Sequence, residues 1–522
     1  MKNTQPRFVS LIFTVLLGIG GLTVLLAGFQ QISQVHAEGT GSPSCYTSLN
    51  NTNTTAYATG GSSAIQQAVD DVNEGGLVKV AGNCAGVFMY NGISQTIYIS
   101  KSVTIQGGYS SADWSLPSDP DGYTTTVDAL DGGRVVSIEG PAVVITLSGL
   151  VLQNGRADQI GALNGGAIAT ISGNAFVNIN DTLLLSNTAQ TTGGALYLNA
   201  SDVYTLTQST LRDNEALNEN GGAIYSQGQL SLIDTIVEYN QAGHGGAGIF
   251  SNNGSQLYIQ DSILRMNIAN GDFLNGYGGA LQNRSNPAVI DNTLIYSNTA
   301  HTGGGIINYG PLTITHSTLQ ENYTRGSGGA IQNHNPLWLI NTTVSNNKAA
   351  EGGGGIFHSQ GSLMLAHTTV VSNTAVSFGT GGIFYNSSGR PRLNGLGGTA
   401  PELSNSIIAH NVGPNGNNCY EGYIDLGYNL EGTDECGLNA AGSLTNTNPL
   451  LATQANYGGK TPVYGLLADS PAIDHIPDGV NGCGTSYLTD QRGMTRPTGD
   501  GCDIGAFEFE EQIIYLPIVM KP

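Results

Sequence analysis

The stretch TGGGIINYGPLTITHSTLQENYTRGSGGAIQNH, which runs from Thr302 to His334, contains the same four-residue motif twice. The motif consists of two glycines, a small residue and isoleucine, and it begins at Gly303 and again at Gly328. Between the two copies, LTITHSTL alternates apolar and polar residues, which is the periodicity of a β-strand. Because a short strand unit cannot bury its apolar face alone, the repetition predicts coils that stack on one another.

The same pattern extends through the middle of the chain with a period of 24 to 33 residues. Gly-Gly motifs begin at Gly165, Gly193, Gly221, Gly245, Gly278, Gly303, Gly328, Gly353 and Gly381. A second motif, an apolar residue followed by two variable residues and asparagine, ends at Asn187, Asn214, Asn240, Asn267, Asn298, Asn322, Asn347, Asn373 and Asn411, with an earlier copy at Asn154. Five residues before each asparagine from Asn187 onward stands Ser or Thr, at Thr182, Ser209, Thr235, Ser262, Thr293, Ser317, Thr342, Thr368 and Ser406. We interpret both columns as side-chain ladders that satisfy the polar groups of successive turns.

The composition supports many short strands joined by tight turns. Of 522 residues, 75 are glycine and only 11% are charged, while 39% are hydrophobic, which excludes a disordered chain. No stretch of the repeat region has an apolar stripe at helical spacing. The sequence therefore predicts an all-β, single-stranded parallel β-helix in which each repeat forms one coil.

The paired motifs resemble the repeats of the chlamydial polymorphic outer membrane proteins. This chain has Leu, Val or Ile where the second motif of that family has Phe, and five copies of its first motif, which read GGAI or GGAL, fit the pattern of GGA followed by Ile, Leu or Val. The resemblance implies a right-handed β-helix with a pectin-lyase-like fold and a role in surface adhesion. We expect these repeats to occupy residues 141–412.

The stretch SSAIQQAVDDVNEGG, from Ser62 to Gly76, carries the clearest helical pattern. Ile65, Val69 and Val72 recur at helical spacing, and the two glycines stop the helix before a strand. The helix resembles the N-terminal cap of pectin-lyase-like β-helices, where it covers the open end of the apolar core. We expect this cap and the first coils to occupy residues 38–140.

The period breaks after about Asn411. The segments NPLLATQANYGGKTPVYGLLADSPAIDHIPDG and TDQRGMTRPTGDGCDIGAFE resemble the choice-of-anchor domain that ends many bacterial β-helical surface proteins. The resemblance implies a C-terminal cap over residues 413–510, and cell-surface placement. Residues 511–522 form a tail that reads either as a last strand or as a sorting element.

The N-terminal residues and the cysteines predict export. Residues 1–37 read as a signal peptide cleaved after Ala37, with an uncleaved membrane anchor as the alternative, and no further membrane-spanning segment is predicted in the mature chain. Sequence proximity suggests disulfides Cys45–Cys84, Cys419–Cys436 and Cys483–Cys502, although six cysteines allow fifteen pairings.

The charge of the mature chain restricts its partners. Without residues 1–37 the chain has 15 basic and 38 acidic side chains, a net charge of −23. Such a surface repels nucleic acid and anionic lipid, so neither is an expected partner. We expect a secreted or cell-surface monomer.

Two sets of carboxylates are candidates for chemistry. A polar column stands six residues before the ladder asparagines, and in it Asp234 and Asp261 lie on neighbouring coils, at a spacing compatible with retaining glycoside hydrolysis. The competing interpretation is a solvated column of turn residues. Asp119 and Asp121, in DPDG, are candidates for binding calcium, and no other cofactor is expected. The competing interpretation is an ordinary Asp/Gly turn.

A further column pairs charges of opposite sign. Arg212, Glu238 and Arg265 stand on three successive coils, where they read as a surface charge ladder. The sequence as a whole predicts a non-enzymatic adhesin or a glycan-binding structural protein. The alternative is an extracellular polysaccharide lyase or glycoside hydrolase, because one fold can carry both uses.

Overall fold

The protein is an all-β parallel β-solenoid of about 13 turns, which confirms the predicted fold class. The computed structural model describes residues 44–50, 52–159, 162–271, 276–386, 398–420 and 422–510. The predicted signal peptide and the tail at 511–522 lie outside these residues. At a rise of about 4.8 Å per coil, 13 turns form a rod roughly 60 Å long.

The N-terminal part combines one helix with long strands. The helix Ser63–Asp71 buries Ala64, Ile65, Ala68 and Val69 against the main core. Its role as an end cap is not confirmed and stays a prediction. The strands here are Cys45–Leu49, Tyr57–Thr59, Gly76–Ala85, Phe88–Tyr90, Ile93–Ile99, Val103–Gln106, Thr126–Asp128, Arg134–Ser148 and Ile168–Asn180.

Each coil of the repeat region contains up to four short strands, and equivalent strands of successive coils pair in parallel. The first strands are Leu196–Leu198, Ile224–Ser226, Ile249–Ser251, Leu281–Asn283, Ile306–Asn308, Ile331–Asn333, Ile356–His358, Ile383–Tyr385 and Cys419–Tyr420. The second strands are Val203–Thr207, Gln229–Ile233, Gln256–Gln260, Ala288–Asp291, Leu312–Thr315, Leu337–Ile340, Leu363–Ala366, Glu402–Ser404 and Ile424–Asp425.

The third and fourth strands complete the coil. The third strands are Val151–Gln153, Leu183–Leu185, Thr210–Arg212, Ile236–Glu238, Ile263–Arg265, Leu294–Tyr296, Thr318–Gln320, Thr343–Ser345, Thr369–Val371, Ile407–Ala409 and Leu430–Glu431. The fourth strands are Arg156–Ala157, Thr188–Ala189, Glu215–Ala216, Gln241–Ala242, Ile268–Ala269, Thr299–Ala300, Tyr323–Thr324, Lys348–Ala349 and Thr374–Ala375. Three of these ladders continue past Asn411, so the coils extend to Glu431, beyond the predicted end of the repeats.

The predicted asparagine column forms a continuous buried ladder. Asn240, for example, donates from Nδ2 to Oδ1 of Asn267 at 2.9 Å and to the carbonyl oxygen of Leu211 at 3.0 Å. Its backbone N–H also donates to Oδ1 of Asn267. The same contacts link Asn187 to Asn411 in steps of one coil and end on Asn418. Each side chain thus satisfies backbone groups that the bend leaves unpaired.

The motif copy that ends at Asn154 does not belong to the asparagine ladder. The pairing of Leu183–Leu185 with Val151–Gln153 places Gly155, not Asn154, opposite Asn187. The N–H of Gly155 donates to Oδ1 of Asn187, whereas Nδ2 of Asn154 donates to Asp128. The ladder therefore begins at Asn187, because the preceding coil offers only a backbone donor at that position.

The C-terminal region has two parts. Cys419, Cys436 and Leu438 belong to the main apolar core, so the first part lies at its end. The second part, residues 450–510, is called the C-terminal unit below and has its own apolar cluster, which includes Val463, Ile504 and Phe507. That cluster also contains Ile407 and Leu430, which places the unit against the side of the solenoid on its third strands.

Three disulfides are present: Cys45–Cys84, Cys419–Cys436 and Cys483–Cys502. They are the three pairs that sequence proximity suggests. The first is at the N-terminal end of the core, the second at its C-terminal end, and the third lies inside the C-terminal unit. Within the part of the chain that the structure describes, no helix is long and apolar enough to cross a bilayer.

Candidate functional site: a lateral groove

The outer row of the third strands changes from covered to open along the rod. Its later members, Thr318, Thr343, Thr369, Ile407 and Leu430, are buried beneath the C-terminal unit. Its earlier members are only half-buried: Val151, Leu183, Thr210, Ile236, Ile263 and Leu294. A strip that is mostly aliphatic is therefore left facing outward on the same sheet.

The open strip forms the floor of a shallow groove, here called the lateral groove. Two adjoining depressions of about 250 Å³ each share Gln208 and Thr210. One is lined by Gln208, Ser209, Thr210, Asp234, Thr235, Ile236, Asp261 and Ile263. The other is lined by Pro120, Thr124, Thr125, Gly149, Leu150, Val151, Asp181, Thr182, Leu183, Gln208, Thr210 and Arg212. The floor thus spans five successive third strands.

Both ends of the lateral groove have a boundary. Pro120 and Thr124, from the loop between the strands Val103–Gln106 and Thr126–Asp128, stand at the N-terminal end. At the other end Nζ of Lys460, in the C-terminal unit, lies 3.0 Å from Oδ2 of Asp261. The loop and the C-terminal unit therefore enclose the groove along the axis of the rod.

Asp234 and Asp261, which the sequence places on neighbouring coils, both line the lateral groove. Both occupy the polar column, whose members have φ between 45° and 55°: Asp181, Gln208, Asp234, Asp261, Asn292, His316, Asn341, His367 and Asn405. Asp and Asn tolerate this left-handed backbone better than other residues with a side chain. The bend between the second and third strands is thus a sufficient reason for an acidic or amide residue here.

The two carboxylates differ in their contacts. Asp234 is exposed and lies beside Gln208 and Thr235 in the groove lining. Oδ1 of Asp261 accepts a hydrogen bond of 2.6 Å from Nδ2 of Asn292, and Oδ2 pairs with Lys460. Asp261 is therefore held by one partner on each carboxylate oxygen, whereas the carboxylate of Asp234 is exposed.

The charge column lies beside the floor as an ion triad. Glu238 is 2% exposed, and its Oε1 and Oε2 each accept 2.6 Å hydrogen bonds, from Nε of Arg212 and Nε of Arg265. Nη1 of Arg265 also donates to the hydroxyl oxygen of Tyr296 at 2.8 Å. The triad holds both arginine side chains in place. Of its three residues, Arg212 is the one that lines the lateral groove.

The calcium candidates occupy an ordinary turn. Oδ1 of Asp119 accepts the N–H of Gly122 at 3.1 Å, and its carbonyl oxygen accepts the N–H of Tyr123. Asp121 belongs to the same DPDG segment and remains a calcium candidate on sequence grounds alone. Among the described residues, no three His, Cys, Asp or Glu side chains form a group that could hold a metal ion.

Sequence reasoning missed a second interior ladder and two aromatic stacks on the first strands. Asn283, Asn308, Asn333 and His358 are linked by side-chain hydrogen bonds of 2.8 to 3.0 Å, and all four are buried. On the outer side, Tyr197, Tyr225 and Phe250 stack in sequence, as do Phe357, Phe384 and Tyr420. The available signal was the sixth residue of the motif Gly-Gly-small-Ile/Leu-x, which is Asn or His in four repeats.

It also missed the docking of the C-terminal unit. Nε2 of Gln491 donates to the hydroxyls of Thr318 and Thr461 at 2.7 and 2.9 Å, and its Oε1 accepts from Thr343 at 2.7 Å. The segment that resembles the choice-of-anchor domain therefore supplies both a docking contact and a buried ion cluster. In that cluster Arg496 pairs with Glu508 at 2.5 Å, and both side chains are buried.

Comparisons with known proteins do not assign the chain to a family. The Chlamydia polymorphic membrane protein repeat, as a family model, matches residues 341–359. No curated protein matches the chain. Among solved structures, the crystal structure of pectate lyase Pel9A is similar at 12% identity and a TM-score of 0.36, over 85% of this chain and 90% of that one.

Proposed function

We propose that this chain is a secreted or surface-attached β-helical protein that binds an extracellular glycan in the lateral groove without catalysing a reaction on it. The observation that carries the proposal is the open floor of five coils between the loop at Pro120 and the C-terminal unit. A surface of this kind suits a long ligand, because each depression is smaller than the cavities that enclose small molecules. Solenoids commonly use such extended faces for binding.

Export is supported by three disulfides in a chain that carries a predicted signal peptide, because disulfides persist in oxidising compartments. Without residues 1–37 the net charge of −23 favours solubility outside the cell and disfavours nucleic acid as a ligand. The chain acts as a monomer in this proposal, since its own C-terminal unit covers the later part of the third-strand face.

The absence of catalysis is argued from Asp261. Retaining hydrolysis needs one carboxyl as a nucleophile and a second as an acid, on the two sides of the scissile bond. Lys460 and Asn292 each contact one oxygen of Asp261, whereas Asp234 is exposed, so the two carboxylates are held differently. This asymmetry supports binding over hydrolysis in the proposal, and the release of reducing ends tests it.

The test is a panel of immobilised neutral and uronic-acid polysaccharides, probed with the disulfide-bonded chain, with and without calcium. We expect retention on at least one glycan, with no new reducing ends and no unsaturated products. If reducing ends are released, and Asp234→Asn or Asp261→Asn abolishes that release, the hydrolase alternative is established instead. Arg156→Ala, a change at an exposed ion pair outside the groove lining, is the control variant.

A further inference from the structure

The floor of the lateral groove repeats the same pair of rows from coil to coil. The pairing register places Leu183, Thr210, Ile236 and Ile263 side by side on successive third strands. Asp181, Gln208, Asp234 and Asp261 stand two residues earlier on the same coils. Each of these four coils therefore presents one outward third-strand side chain, aliphatic in all but Thr210, and one hydrogen-bonding side chain beside it.

We propose that the lateral groove takes a linear, uncharged polysaccharide in an extended conformation, with one sugar residue over each coil. The inference rests on the proposed function and adds to it the class and the register of the ligand. The coils rise by about 4.8 Å, and a pyranose residue in an extended chain advances by a similar distance. A periodic ligand can thus meet the same two rows at every step.

The chemistry of the rows fits a pyranose ring. Its C–H face packs on Ile236 and Ile263, which are half-buried and have apolar area still open to solvent. Its hydroxyls donate to the carboxylates of Asp181 and Asp234 and bond with the amide of Gln208, which face the same depressions. An apolar floor with a few polar groups at one side is the usual composition of a ligand site.

The charges around the floor select against an acidic polymer. Lys460 is paired with Asp261, whereas Arg212 and Arg265 share the one carboxylate of Glu238, so that triad keeps one net positive charge. Asp181 and Asp234 are exposed, and no basic side chain is paired with either one within the described residues. These two carboxylates outnumber the single positive charge of the triad, so a uronic-acid chain in this groove meets a net negative surface, which repels it.

The boundaries limit the length of ligand that makes contact. Pro120 and Lys460 close the floor after five third strands, from Val151 to Ile263. Residues added to an oligosaccharide beyond about five, the number that five coils accommodate at this rise, extend into solvent. Affinity should therefore increase with chain length and then stop increasing.

The test is calorimetric titration of the full chain with neutral oligosaccharides of two to eight residues, taken from the glycan retained in the panel. Uronic-acid oligosaccharides of equal length provide the comparison. We expect Kd to fall by about threefold per added residue up to roughly five residues and to stay constant beyond that length. The neutral series should depend little on salt, because no ion pair forms.

Two substitutions on one coil locate the site. Ile263→Glu places a carboxylate on the groove floor and should weaken the neutral ligand by at least about tenfold. Ile268→Glu is the matched control, because Ile268 is an exposed isoleucine of the same coil on the fourth strand, outside the groove. Gln208→Asn keeps an amide and suits the left-handed backbone, so it tests the polar row without a risk of unfolding.

The outcomes separate the two proposals. Three results would each overturn the neutral, coil-matched ligand while leaving glycan binding in place. They are tighter binding of the uronic-acid series, an affinity that does not change with chain length, and equal effects of Ile263→Glu and Ile268→Glu. Failure of every polysaccharide to be retained in the earlier panel would overturn the proposed function itself. Unchanged thermal midpoints of the variants are the check that each one folds.

Discussion

At the residue scale, the structure depends on side chains that satisfy the backbone of a neighbouring coil. Asn267 is typical, because its Nδ2 donates to the carbonyl oxygen of Val237 and to Oδ1 of Asn298, while its own Oδ1 accepts from Asn240. This column was predictable, since the same residue type recurs in phase. The start of the ladder was not predictable, because Asn154 and Gly155 are neighbours in sequence and only the strand register shows which of them lies opposite Asn187.

Replacing Asn267 by Ala should destabilise the solenoid by about 3 kcal/mol. The N–H and Nδ2 of Asn240, which is buried, would lose their acceptor, and the carbonyl oxygen of Val237 would lose a donor. Urea denaturation measures the effect. Asn270→Ala, an exposed asparagine of the same coil, should change the free energy of unfolding by less than about 0.5 kcal/mol. Equal effects of the two variants would contradict a structural ladder.

A second residue-scale prediction concerns pH. Burial and the nearby Glu508 carboxylate raise the pKa of Asp503 to about 7. Between pH 4 and pH 7 the folded state therefore holds a proton that the unfolded state has released, so the contribution of this group to stability falls as pH rises. The difference in unfolding free energy between the unmodified chain and Asp503→Asn should become more negative over that range. Asp500→Asn, a change at an exposed position three residues earlier, is the control variant.

At the element scale, the strand ladders follow from sequence while the contact between elements does not. Alternation and the Gly-Gly motif indicate strands and bends, although the copy assigned to Gly245 is displaced by one residue. Ile249 pairs with Ile224, and Gly246 has the positive φ of the first glycine. The row that runs from Leu183 to Leu430 has aliphatic residues and threonines in both its open and its covered part, so nothing local tells which part the C-terminal unit covers.

The docking of the C-terminal unit gives an element-scale prediction. Gln491→Ala would leave the buried hydroxyls of Thr318 and Thr343 without their amide partner, at a cost of about 2 kcal/mol. Hydrogen exchange of the third strands Thr318–Gln320 and Thr343–Ser345 should accelerate, while the coils at Leu183–Leu185 stay protected. Gln454→Ala, which removes a less buried contact with Ser345, should have a smaller effect. An unchanged exchange pattern in Gln491→Ala would show that the unit docks without this residue.

At the scale of the whole molecule, three disulfides stabilise regions outside the asparagine ladder that runs from Asn187 to Asn411. The Cys419–Cys436 bridge closes a loop with a sequence separation of 17 at the end of the core. Its removal by Cys419→Ser and Cys436→Ser together should lower stability by about 3 kcal/mol. Thermal unfolding checks this. Cys483→Ser with Cys502→Ser should affect chiefly the C-terminal unit, whose unfolding then precedes that of the solenoid.

The whole molecule also shows why function was harder to predict than fold. The repeat dictates a rod, and residues such as Asp234 and Asp261 recur in it for a backbone reason. The lateral groove exists because two distant segments, at Pro120 and Lys460, stand at the ends of one strip. Neither segment has a motif that names this role, so the groove could be located only once the chain was folded.

The measurement that tests the central claim most directly is hydrogen exchange of the full chain with and without the glycan that it retains. We predict that protection appears in the third strands Leu183–Leu185, Thr210–Arg212, Ile236–Glu238 and Ile263–Arg265, and in the bends before them. The aromatic stacks of the first strands should be unaffected. Protection confined to those first strands, or distributed evenly over the rod, would contradict a binding site in the lateral groove.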